Sequence, residues 1–99
     1  MLSHIVIFWL KEDLSENQKK MFQTKITALK KIEYAHSVHI GPPKKLSDRP
    51  IIDTSFSYAI NSVFKTVEDH DSYQAHPLHR DFLETCVPMC SKVQIFDFE

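Results

Sequence analysis

The sequence predicts an α+β fold, a four-stranded antiparallel sheet with its helices gathered on one face. Three observations carry this. Apolar residues alternate along Leu2–Leu10 and again along Thr54–Phe64, the pattern of strands. Between them Met21, Phe22, Ile26, Leu29 and Ile32 recur at three- and four-residue steps, the pattern of an amphipathic helix. The punctuation between the runs then yields the order strand, helix, strand, strand, two short helices, strand. A chain of 99 residues is read as a single domain over residues 1–99.

The first strand carries two apolar rows. His4, Val6, Phe8 and Leu10 point one way and Ile5, Ile7 and Trp9 the other, so both faces need cover. Helices drawn from so short a chain can cover only one of them. Ser15-Glu16-Asn17-Gln18 has the capping-box spacing of a helix start, and that helix is expected to run to about Glu33-Tyr34. Ser37–Ile40 is a short strand stopped by Gly41-Pro42-Pro43, and residues 44–53 form a polar loop. In the strand over Thr54–Phe64, Phe56, Tyr58, Ile60 and Phe64 share a face, with Asn61 and Ser62 as polar interruptions.

Thr66 caps a short helix that must stop before Pro77, because a proline disfavours helical backbone in the residue before it. Pro77 suits the first position of a third helix, with His76 as its cap. Leu78, His79, Phe82, Leu83, Cys86 and Cys90 then form one stripe, and Lys92–Phe98 is the last strand. This is the split βαββαβ pattern of ferredoxin-like domains. The uncovered sheet face predicts a homodimer, sheet against sheet, in a dimeric α+β barrel.

A net charge of −1 with both signs scattered argues against nucleic acid as a partner, which would need a concentrated basic face. No stretch is long and apolar enough for a membrane span, and Met1–Ile7 lacks the features of a signal peptide. Two closely spaced cysteines, unsuited to a mutual disulfide, predict a reducing, cytoplasmic setting.

Leu2–Phe8, Tyr73 with His76-Pro77-Leu78-His79, and the closing Lys92–Phe98 together resemble the stress-responsive dimeric α/β-barrel (Dabb) family, essentially end to end. The resemblance implies a ferredoxin-like protomer pairing with a twin. It also implies a pocket, since one plant member is a cyclase that closes a linear poly-β-ketone without metal or cofactor. Tyr73 and His79 stand at that enzyme's catalytic motif positions, and His4 matches a pocket histidine. Tyr58 and Ile26 replace a histidine and a tyrosine of that cyclase.

The residues themselves support two readings. His79, in the first turn of a helix and on its apolar side, is disfavoured as an imidazolium by burial and by the helix dipole. It is either a neutral general base or a core histidine bonded to a backbone carbonyl. Tyr73 is either a hydrogen-bond donor to a developing enolate or an aromatic anchor whose hydroxyl reaches the surface. His4, Val6, Phe8, Phe22, Tyr58 and Phe82 are the expected ligand-contacting set, with Tyr73 and His79 the catalytic pair. The six histidines offer no third ligand at a recognisable spacing, so no metal and no cofactor is expected. The expected function is binding of a hydrophobic carbonyl compound, with cofactor-free acid/base chemistry of the cyclase or isomerase type. The competing expectation is a non-enzymatic accessory dimer with no ligand pocket.

Overall fold

The alternation of Leu2–Leu10 becomes a central strand, flanked on both edges and backed by helices on one face. In the computed structural model, which describes residues 1–99, this strand (β1) pairs antiparallel with two neighbours. The elements are β1 Leu2–Leu10, α1 Glu16–Ala28, β2 Ser37–Gly41, β3 Tyr58–Phe64, α2 Val67–Ala75, α3 Pro77–Cys86 and β4 Cys90–Phe98. Single turns of 3-10 helix, Leu29–Lys31 and Val87–Met89, close α1 and α3. The sheet order is β2-β3-β1-β4, all antiparallel. This is the ferredoxin-like arrangement predicted.

Local chemistry sets the helix starts. The Ser15 hydroxyl accepts from the Gln18 amide while the Gln18 side chain accepts from the Ser15 amide, a reciprocal cap for α1. Three boundaries differ from expectation. The regular part of α1 ends at Ala28. β3 starts at Tyr58, because Ser55 folds back onto the Asp53 carboxylate and Ser57 is tied to β1 through Phe8 and Leu10. Phe56 therefore lies outside the strand. Cys90 opens β4 instead of extending the α3 stripe, since Pro88 turns the chain after Cys86.

The helix-facing row of β1, with Ile60, Ser62 and Phe64 of β3, meets α1 and α3 in a core built around Phe8, Phe22, Phe82, Ile26 and Leu29. Phe22 is completely buried, with Phe8, Phe82 and Tyr58 rings 5.8, 5.7 and 5.4 Å from its own. The opposite face carries Ile5, Ile7, Trp9, Ala59, Val63, Phe96 and Phe98 and no helix covers it. Phe96 and Phe98 are 50% and 58% exposed. Such an apolar face is unusual on a free surface.

Because Phe22 has no space to collapse into, Phe22→Ala is expected to lower the unfolding free energy by about 3–5 kcal/mol. Ser15→Ala, which removes only a cap, is expected to cost about 1 kcal/mol. Urea denaturation of both variants at one protein concentration measures the contrast.

Candidate functional site

The site begins at a break between two helices. Thr66 caps α2 by accepting from the Asp69 amide at 3.1 Å. At His76 the backbone opens to φ −63°, ψ 140°, as the following proline demands, and Pro77 starts α3. The His76 ring accepts from the Leu78 amide at 3.1 Å, so this histidine is the cap expected. A continuous helix would have aimed Tyr73 and His79 apart. The joint instead brings their rings to 5.0 Å between centroids, at 61°.

The sheet supplies the other side. Antiparallel register places Ser62 of β3, His4 of β1 and Asp97 of β4 abreast, all facing the helices. The Asp97 carboxylate accepts a hydrogen bond from Nδ1 of His4, and Gln74 Nε2 lies 3.4 Å from its Nε2. The His70 ring stands edge-on to His4 at 4.9 Å. Five elements, β1, β3, β4, α2 and α3, thus converge on a cavity of about 70 Å3. Val6, Phe8, Leu29, Ile60 and Phe82 form its apolar wall, and His4, Ser62, Tyr73, Gln74 and His79 its polar one. Leu83, Val87, Val93 and Ile95, all more than a third exposed, make an apolar rim where the cavity meets solvent.

Burial governs the protonation states. Desolvation pushes the His79 imidazole down to about 4, and the histidines at 4, 70 and 76 push the same way. At neutral pH it is uncharged. Desolvation raises the Tyr73 phenol, which therefore keeps its proton; the nearby Ser62 hydroxyl opposes the shift, although no bond of normal geometry joins the two. Desolvation also lifts the Cys86 thiol to about 11, so it is a packing group and not a thiolate. Two polar atoms, His79 Nδ1 and Ser62 Oγ, are buried without a partner. Both belong to residues that line the cavity.

Of the expected residues, the structure brings together His4, Val6, Phe8, Tyr73, His79 and Phe82 around the cavity. Phe22 and Tyr58 do not line it: their rings pack together at 5.4 Å, Phe22 within the core and Tyr58 partly buried against it. Tyr73 is 1% exposed, so its hydroxyl does not reach the surface. Nor does a backbone carbonyl satisfy Nδ1 of His79. Sequence reasoning passed over Ser62, His70, Gln74 and Asp97. Ser62 and Asp97 were findable, since each follows an inward apolar residue (Ile60, Ile95) by two. No group of three or more His, Cys, Asp or Glu side chains converges as metal ligands would.

A sequence model of the stress-responsive A/B barrel domain matches residues 2–99. The chain belongs to the stress-responsive A/B barrel domain family. A relative in Arabidopsis thaliana, a stress-response A/B barrel domain-containing protein, is 26% identical over 99 residues. That alignment takes in 99% of this chain and 36% of the relative, so the chain spans about a third of the plant protein's length. The fold is also that of a dimeric ferredoxin-like protein of unknown function from Thermobifida fusca, with TM-score 0.77 and 20% identity, covering 98% of this chain and 88% of the other. A hydroxynitrile lyase from Passiflora edulis superposes with TM-score 0.78 and 22% identity, covering 98% of this chain and 90% of the enzyme. No helix of this family member is long and apolar enough to cross a membrane.

The low pKa of His79 has a stability consequence. The unfolded imidazole takes its proton near 6.5 and the folded one only near 4. Within that window the unfolded state binds more protons, so stability contributed by the neutral ring is complete above the upper value and lost as pH falls. Unfolding free energy should drop by about 2 kcal/mol between pH 7 and pH 5 from this group alone. Urea titrations at the two pH values check it, with the drop smaller by that amount in His79→Leu.

Proposed function

We propose that the cavity receives the reacting end of a small hydrophobic carbonyl compound and moves a proton on it without a cofactor. What chiefly supports this is the pair of orphaned buried atoms, His79 Nδ1 and Ser62 Oγ, at the wall of an otherwise apolar cavity. Leaving such groups unpaired costs about 1–3 kcal/mol each, a cost that a polar ligand group in the cavity offsets. A volume of about 70 Å3 holds only a few heavy atoms, so the rest of the ligand lies along the apolar rim of Leu83, Val87, Val93 and Ile95.

In this reading His79 takes a proton from the carbon next to the carbonyl, and the C–H electron pair moves into the enolate. The Tyr73 hydroxyl donates to the oxygen on which the charge gathers, and His4, held by Asp97, places the ligand. A base with a pKa of about 4 is free at any physiological pH but weak. It therefore suits only activated carbon acids, such as a proton flanked by two carbonyls. Return of the proton to a different atom or face of the enolate completes an isomerisation. Attack of the enolate carbon on a second carbonyl of the same molecule, with the proton on His79 passing to the new alkoxide, completes a cyclisation. The Asp97–His4 pair favours a second assignment, in which His4 is the base and Tyr73 and His79 hold the oxygen.

Deuterium exchange at the α-carbon of a panel of hydrophobic 1,3-dicarbonyl compounds, followed by proton NMR, tests the reading. His79→Ala should lose about 10²–10⁴-fold of the catalysed exchange, and Tyr73→Phe about 10²–10³-fold. Full exchange activity in His79→Ala with loss in His4→Ala moves the base to His4. Absence of both exchange and ligand binding leaves the accessory-dimer reading standing.

The proposal includes a homodimer through the open sheet face. Its apolar rows on β1, β3 and β4 are the support, together with the dimeric state of the Thermobifida fusca relative in fold. Sedimentation at micromolar concentration is expected to give a dimer, and Ile7→Lys at the face centre a monomer or unfolded chain. A stable monomer of the unmodified protein overturns it.

A further inference from the structure

Around His4 the hydrogen-bonding groups form a chain. Asp97 of β4 faces Nδ1 of His4, Gln74 of α2 bridges to His70, and Asp71 faces Nδ1 of His70 at 3.1 Å. The bridging nitrogen of Gln74 is 3.4 Å from Nε2 of His4 and 3.5 Å from Nε2 of His70. The carboxylates at the ends can only accept, so each histidine carries its proton on Nδ1. In the neutral form of each ring Nε2 is then a bare lone pair aimed at the same amide. An amide oxygen there would oppose two acceptors; an NH2 group supplies the two hydrogens they need.

We propose that Gln74 is a positioning residue that clamps two histidines at once. Its NH2 group donates to Nε2 of His4 in the cavity and to Nε2 of His70 nearer the surface, selecting the Nδ1–H tautomer of both neutral rings. His4 and His70 consequently share one switch. Adding a proton to either Nε2 sets donor against donor, and relief requires the amide to turn over and present its oxygen to both rings. Deprotonated His4 is thus tied to deprotonated His70, with Asp97, Asp71 and the neighbouring His79 as the other titratable groups around the pair. The Gln74 amide also occupies the lone pair of His4, and a ligand must displace it to use that lone pair.

The clamp stands on geometry alone; only its effect on a ligand rests on the proposed function. Histidine-labelled protein titrated by NMR reads both rings, with Gln74→Leu and Gln74→Glu compared against the unmodified chain. Losing a donor to the neutral form should raise the midpoints of His4 and His70 together by roughly half a unit or more. A carboxylate at 74 should raise both further. His70→Ala should move the His4 midpoint through the freed amide. Fold retention is read from the same spectra through the unaffected His36 and His39. Unmoved midpoints in Gln74→Leu, or a shift in one ring only, overturn the clamp. Failure of α-carbon exchange alongside shifted midpoints overturns the proposed function and leaves the clamp intact.

Discussion

Pro77 has no amide hydrogen, and its ring denies helical backbone to the residue before it. Those two facts force the chain to end one helix at Ala75 and begin another at Pro77, with a single extended residue between. His76 absorbs the break, supplying both the extended backbone and the side-chain cap. The site depends on this constraint. Without it Tyr73 and His79, six positions apart, would face different directions; with it they meet edge to face above the sheet.

The sheet contributes by register. Antiparallel pairing fixes which side chains stand abreast, and a shift by one residue would turn Ser62, His4 and Asp97 to the wrong face. The polar row lies across three strands at one end of a core that is otherwise apolar. Burial there does two opposite things. It keeps His79 uncharged and Tyr73 protonated, the states acid/base chemistry requires, and it leaves two polar atoms without partners. A core selected for stability alone would have placed Leu or Val at those positions. The proposed ligand would give these polar groups their partners.

Cover for the sheet is uneven, and the proposed function follows the gaps. β1 and β3 are sealed on the helix side, whereas β4, at the sheet edge, is exposed along nearly its whole length. Its inward residues Val93 and Ile95 become the cavity rim, and its outward Phe96 and Phe98 join the open apolar face. One strand therefore serves both the proposed ligand entrance and the proposed dimer surface, which places partner contacts within a residue or two of the site.

Much of this was legible beforehand, for identifiable reasons. Strand and helix periods are local properties, and so the element order, the inward row His4-Val6-Phe8, the capping box at Ser15 and the break at Pro77 could all be read from neighbouring residues. Whether Phe22 and Tyr58 line a cavity or fill a core is not legible in the sequence, because nothing local separates a wall from a filled core. Asp97, Gln74 and His70 stayed invisible because their importance lies in contacts to residue 4 across long stretches of chain. Dihedral restriction and hydrophobic periodicity act over a few residues, so the fold and the kink are readable from the sequence alone, whereas the choice of Tyr73 and His79 as a pair rests on the family resemblance. Only the tertiary structure decided how much space lies beside them and which groups hold His4, because cavity volume and long-range hydrogen bonds exist only once strands and helices have packed.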